Sequence, residues 1–230
     1  MRHTLMRLSS KTHYLQIALN SSMDDARRII LSLPASERLI IEAGTPLIKR
    51  YGHTVISELK HLWSQKLLSN GLNNPYIVAD MKCMDRGETE AKLAADAGAS
   101  ASIVLGQASN ETLNSFIYTC SELGVDSMVD MMNVEKPYQI LRKLKKLPYT
   151  VILHRGVDEE KYSEKMLPIH MINKVKGAFD LMISVAGGDK PREIQSSVFN
   201  GANIVVLWKN FFSAGGDAAN IARTFLSNTK

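Results

Sequence analysis

Eight short apolar runs punctuate this sequence: YLQIAL (14–19), RLIIEA (38–43), YIVAD (76–80), ASIVL (101–105), SMVDM (127–131), TVILH (150–154), LMISVA (181–186) and NIVVLW (203–208). Most are continuously apolar rather than alternating. Strands buried on both faces read this way, as parallel sheets require. Helical periodicity fills the gaps. Met23, Ala26, Ile30 and Leu33 follow 3–4 spacing behind Ser22, a suitable N-cap. Leu113, Phe116, Ile117, Cys120 and Leu123 form a second stripe. A third, Tyr138, Leu141, Leu144 and Leu147, predicts a helix that Pro148 ends. Gly98, Gly124 and Gly201 stand where helices should stop. Trp63 reads as packing.

Eight strands alternating with about eight helices in 230 residues leave little room for insertions. The expected fold is α/β, a single-domain (β/α)8 TIM barrel over residues 14–230, preceded by an extension over residues 1–13. A doubly wound open sheet is the runner-up. It should carry a phosphate fingerprint after the first strand, and IALNSSMDD has none.

Charge and cysteine content exclude several partners. Lys plus Arg total 28 against 23 acids, a net charge of +5, and no basic run is interleaved with aromatics. Nucleic acid is therefore not expected. KLKK (143–146) reads as the solvated face of a helix. Cys83 and Cys120 lack metal-type spacing, and no apolar stretch is long enough to span a membrane. The first residues, MRHTLMRLSSKTH, are basic but have no apolar core of the kind a secretory signal needs. A cytoplasmic protein is expected.

In a barrel of this type the polar residues ending the strands gather at one face. Asn20 ends the first strand, and Glu42 the second, with Thr45 just beyond. The third supplies Asp80, Lys82 and Asp85; the fifth, Asp130; the sixth, His154 followed by Arg155 and Asp158; the seventh, Gly187, Gly188 and Asp189. Asp80 and Lys82 lie two apart and should share a face, with Met81 and Cys83 on the packing side. Glu42 and Asp80 are hard oxygen ligands suited to Mg²⁺ with open positions. Lys82, kept charged beside Asp80 and Asp85, can stabilise a developing enolate. His154 is the natural proton carrier near neutrality. Gly187 and Gly188 leave backbone N–H groups bare ahead of a helix starting near Pro191, a site for a substrate phosphate.

IIEAGTPLIKRYG (40–52), VADMKCMDRGETEAKLAADAGA (78–99), VLGQASNETL (104–113), MVDMMNV (128–134), LHRGVDEE (153–160) and SVAGGD (184–189) together resemble the 3-hexulose-6-phosphate synthase family. That family lies within the orotidine 5′-phosphate decarboxylase superfamily of (β/α)8 barrels, marked by D-x-K-x-x-D at the third strand. The likeness runs from about residue 14 to 228 and is nearest the archaeal form, which can be fused to a formaldehyde-activating domain; no such domain is read in this chain. Glu42 stands where the orotidine 5′-phosphate decarboxylases carry lysine. Val157 stands where the related 3-keto-L-gulonate 6-phosphate decarboxylases carry arginine.

The resemblance implies a Mg²⁺-dependent aldehyde-lyase that joins formaldehyde to ribulose 5-phosphate through an enediolate, or runs in reverse. It implies Glu42 and Asp80 on the metal, Lys82, His154, Asp80 and Asp85 in catalysis, and Asn20, Thr45, Asp130, Gly187, Gly188 and Lys209 on the substrate. A homodimer with shared sites is implied, Asp85 reaching into the partner's site. Three positions depart from the family: Asn20 replaces an aspartate, Trp208 and Lys209 replace a glycine-containing pair, and Asp189 follows the paired glycines as an expected helix N-cap. A diverged member is the alternative reading, either a related decarboxylase or aldolase or a non-catalytic sugar-phosphate-binding protein.

Overall fold

The computed structural model describes residues 8–162, 165–188, 190–208 and 218–229. Eight parallel strands close in sequence order into one barrel. They are β1 (Tyr14–Leu19), β2 (Leu39–Ala43), β3 (Ile77–Cys83), β4 (Ala101–Leu105), β5 (Asp126–Asp130), β6 (Thr150–His154), β7 (Met182–Ala186) and β8 (Ile204–Leu207). The last pairs with the first, Tyr14 opposite Ile204. The open sheet is thereby excluded. Each run predicted from sequence is a strand, with ends shifted by no more than a few residues.

The helices are α1 (Met23–Ser32), α2 (Thr45–Tyr51), α3 (Thr54–Leu68), α4 (Gly87–Asp96), α5 (Asn110–Leu123), α6 (Pro137–Leu141), α7 (Val157–Tyr162), α8 (Ile172–Lys176), α9 (Pro191–Phe199) and α10 (Ala218–Asn228). A 3₁₀ turn, Pro168–Met171, precedes α8. Their apolar stripes pack on the outer face of the barrel, with Trp63 fully buried among them. Ser22 caps α1 by accepting a hydrogen bond from Asp25 N at 3.1 Å, and Ser109 caps α5 in the same way. Among the described residues, no helix is long and apolar enough to cross a membrane.

One predicted helix is cut short. The stripe from Tyr138 to Leu147 is helical only as far as Leu141. Beyond it the chain is fastened to α5: Asn114 Oδ1 accepts from Lys145 N at 2.8 Å, and Lys146 Nζ donates to Ser121 Oγ. Leu144 and Leu147 still pack on the core from an irregular backbone. Tertiary contacts, not helical hydrogen bonds, satisfy this spacing. KLKK is accordingly an exposed loop rather than a helix face.

The barrel interior is closed at its N-terminal end by the chain that precedes β1. Leu8 joins the interior cluster of Tyr14, Ile40, Tyr76, Val78 and Ile204. Tyr149 Oη donates to Leu8 O, Asn203 Nδ2 to Ser10 O at 2.8 Å, and Arg38 Nε to His13 O at 3.1 Å. The described part of the predicted extension, residues 8–13, is thus a plug. With this end sealed, access to the interior is from the C-terminal ends of the strands. Leu8→Ala should lower unfolding stability by about 2 kcal/mol through lost burial and a residual cavity. The urea midpoint reports this, while ligand affinity at the opposite end should not change. An unchanged midpoint would remove the plug from the account of stability.

Candidate active site

At the C-terminal ends of the strands lies a cavity of about 520 Å³. Of the predicted residues, Asn20, Glu42, Thr45, Asp80, Lys82, Asp130, His154 and Gly187 line it. Gly188 does not. It is buried behind the cavity wall, where a Cβ would overlap Leu167. Asp85 is exposed and lies outside this cavity. Lys209 and Asp189 fall outside the described residues, while Trp208 contributes to the wall.

The centre of the site is built by an irregular backbone in β3. Ala79 pairs with Ser102 and Cys83 with Val104, so four steps along β3 match two along β4. Within this bulge Lys82 adopts φ +46°, a left-handed conformation that costs a non-glycine residue about 1–2 kcal/mol. Met81 and Cys83 pack outward, as predicted. The bulge aims the ammonium inward: Lys82 Nζ lies 3.1 and 3.0 Å from the two oxygens of Asp80 and 2.9 Å from Asp130 Oδ2. The second acid on Lys82 is therefore Asp130 from β5, not Asp85. Burial alone would lower the lysine's pKa, but Asp80 and Asp130 outweigh it and hold it above its ordinary value.

Asp130 is only 1% exposed, and both its oxygens are engaged. Oδ2 accepts from Lys82 and, at 2.8 Å, from His154 Nδ1, while Oδ1 accepts from Met132 N at 2.9 Å. Predicted as a substrate ligand, it lines the cavity and also orients Lys82 and His154. Burial would raise its pKa, yet His154 and Lys82 hold it well below the usual carboxylate range. Because the carboxylate can only accept, Nδ1 of His154 carries the proton and Nε2 is left for the cavity. Burial pushes the imidazole down, but Asp130 prevails and raises it above its ordinary 6.5. Proton binding by His154 thus favours the folded state. This contribution is complete below about 6.5 and fades as pH rises through the higher folded value.

Glu42 is buried beside Asp80, and Gln16 Nε2 donates to its Oε2. Burial, then the Asp80 charge, push its pKa up to about 7. Two hard carboxylates on neighbouring strands, one strained by the other's charge, form a donor pair that a divalent cation would suit. Among the described residues no group of three or more His, Cys, Asp or Glu side chains that could hold a metal is assembled. Asn20 is held close to this pair: a Cβ on Gly44 would overlap its Oδ1, so the glycine of EAGTP makes room for it. Thr45 Oγ1 donates to Asp80 O at 2.7 Å, fastening the start of α2 to the bulge.

Of the polar cavity residues, Gln16 is not anticipated by the sequence, and Arg155 is placed at this face without a role. Gln16 lies fully buried beneath the site, its Oε1 without a hydrogen-bond partner among the described residues. A glutamine inside an apolar run, YLQIAL, was the available signal. Arg155 is also buried, and an arginine directly after a strand-ending histidine was its signal.

A family model for orotidine 5′-phosphate decarboxylase / HUMPS matches residues 13–223. The chain belongs to this family. Over 220 residues it is 37% identical to the bifunctional enzyme Fae/Hps of Methanocella arvoryzae, an alignment covering 94% of this chain and 53% of that protein. The chain thus spans about half the length of the curated relatives it matches. Among solved structures it is similar to a 3-hexulose-6-phosphate synthase at 28% identity and a TM-score of 0.77, covering 92% of this chain and 98% of the other. The corresponding values for the 3-hexulose-6-phosphate synthase of Salmonella typhimurium are 26%, 0.79, 93% and 99%. The resemblance and the barrel expected from sequence both stand.

Replacing Asp130 by Asn should lower the His154 pKa, because burial and the Lys82 charge would then be opposed only by the smaller effect of Asp80. Histidine-selective NMR titration reads this directly. A His154 midpoint unmoved by the substitution would show that Asp130 does not control it.

Proposed function

We propose that this protein is a 3-hexulose-6-phosphate synthase-type aldehyde-lyase, joining formaldehyde to ribulose 5-phosphate or releasing it in the reverse direction. The carrying observation is the chain of contacts from Asp80 through Lys82 and Asp130 to His154 at the wall of one cavity. A sugar entering this cavity would meet an ammonium and an oriented imidazole together, which supports the reading. The names of the similar proteins support the same reading.

In this reading His154 Nε2 takes a proton from C1 of ribulose 5-phosphate. Lys82 offsets the negative charge that develops on the enediolate oxygen. The C1 carbon then attacks the formaldehyde carbon, forming the new C–C bond, and the former formaldehyde oxygen takes up a proton. The product is a hex-3-ulose 6-phosphate. The Gly187 turn receives the phosphate at the far side of the cavity. Glu42 and Asp80 would hold Mg²⁺, which when bound supplies electrophilic pull on the sugar's carbonyl and adjacent hydroxyl. Asp85, exposed and outside this cavity, fits a role in the site of a second copy within a homodimer. Trp208 in the cavity wall favours a second reading, a sugar-phosphate-binding protein without turnover.

Mixing the protein with ribulose 5-phosphate, formaldehyde and Mg²⁺ should consume formaldehyde; chelation should stop the loss and added Mg²⁺ restore it. His154→Gln should reduce kcat by about 10²–10⁴-fold. Since the base must be neutral, wild-type kcat/KM should climb with pH through the raised His154 pKa. Binding of the sugar phosphate with no formaldehyde loss would select the second reading.

A further inference from the structure

Arg155 is engaged far more heavily than a surface arginine, yet the chemistry above gives it no task. Its side chain is 9% exposed. Nη1 donates to Lys165 O at 3.2 Å, and Nη2 donates to Gly187 O. Nη2 also lies 3.3 Å from Glu160 Oε1 of α7 and 3.3 Å from Glu193 Oε1 of α9. Glu193 in turn accepts from Lys190 N at 3.1 Å, in the first turn of α9. One guanidinium therefore joins the end of β6, the turn after β7 and the starts of two helices. Nη2 carries three of these contacts and Nη1 the fourth, while Nε has no partner among the described residues.

The contact with Gly187 matters most. Gly187 has φ +95°, and a Cβ there would overlap the backbone oxygen of Arg155. The turn thus presses against Arg155 and is held by it. In a planar trans peptide the C=O of Gly187 and the N–H of Gly188 point in opposite directions. Fixing the carbonyl on the guanidinium fixes that peptide plane and with it the Gly187 turn that lines the cavity. Charge adds a second effect. Glu160 and Arg155 both line the cavity, with Glu193 close behind. Left unpaired, these carboxylates would repel an anion bound at the turn.

We propose that Arg155 is a positioning residue for the substrate's phosphate: it fixes the Gly187–Gly188 turn and neutralises the two glutamates beside it. This rests on the reading that a phosphate ester binds at that turn. It does not depend on which reaction follows.

The test compares wild type, Arg155→Met and Arg155→Lys by KM, kcat and calorimetric Kd, with ribulose 5-phosphate and inorganic phosphate as probes. Lysine keeps the charge and most of the stem but cannot span the same acceptors, so it serves if the methionine variant fails to fold. Both variants should raise KM and Kd for ribulose 5-phosphate by about tenfold or more, the scale of one lost charge-assisted contact. The KM for formaldehyde, and kcat at saturating sugar, should stay within about threefold of wild type. A merely structural role would instead lower the active fraction and leave KM unchanged. A folded Arg155→Lys with wild-type KM and Kd overturns the proposal, as does a loss confined to kcat. If wild type binds ribulose 5-phosphate without turnover, the aldolase reading falls while the Kd comparison still decides the role of Arg155. If wild type binds neither probe, the phosphate reading and this proposal fall together.

Discussion

The carboxylate of Asp130 is the element on which the site depends. It ends β5, sits in the barrel wall with almost no exposure, and joins Lys82 from β3 to His154 from β6. A buried ammonium and a buried imidazole each need a hydrogen-bond partner to stay in place. One shared anion lets both remain in place, and a backbone N–H from Met132 keeps that anion still. The lysine's left-handed backbone belongs to the same bargain: the bulge in β3 is tolerated because the ammonium finds two carboxylates at its end.

Charge is graded across the cavity. Around Lys82, Asp130 and His154, opposite charges are matched. On the β1–β2 side, Glu42 accepts from the amide of Gln16 and faces Asp80, and burial and the Asp80 charge push its pKa up to about 7. This is the side suited to a divalent cation. On the β6–β7 side, Arg155 is surrounded by Glu160, Glu193 and backbone carbonyls. A cavity arranged in this way suits a ligand with vicinal oxygens at one end and an anion at the other.

The fold and most of the site were legible in the sequence because strands in a parallel barrel announce themselves as apolar runs, and polar residues at their ends then have one place to go. Glu42, Asp80, Lys82, Asp130 and His154 converge for that reason. The failures have specific causes. The residue paired with Lys82 depended on a bulge that alternation does not encode, so Asp85 was favoured over Asp130. Leu144 and Leu147 kept helical spacing in a loop because packing on α5 replaced helical hydrogen bonds. Gln16 is missed, and Arg155 is placed without a role, because each looks like an ordinary polar interruption until burial shows that its donors are committed inside.

The claim that His154, oriented by Asp130 and opposed by Lys82, removes a proton from the sugar can be measured without the second substrate. Ribulose 5-phosphate incubated with the protein and Mg²⁺ in deuterated buffer, with no formaldehyde, should exchange a C1 proton for deuterium, visible by proton NMR. His154→Gln should abolish the exchange while still binding the sugar phosphate. Retention of both C1 protons by wild-type protein with ribulose 5-phosphate bound would contradict the account.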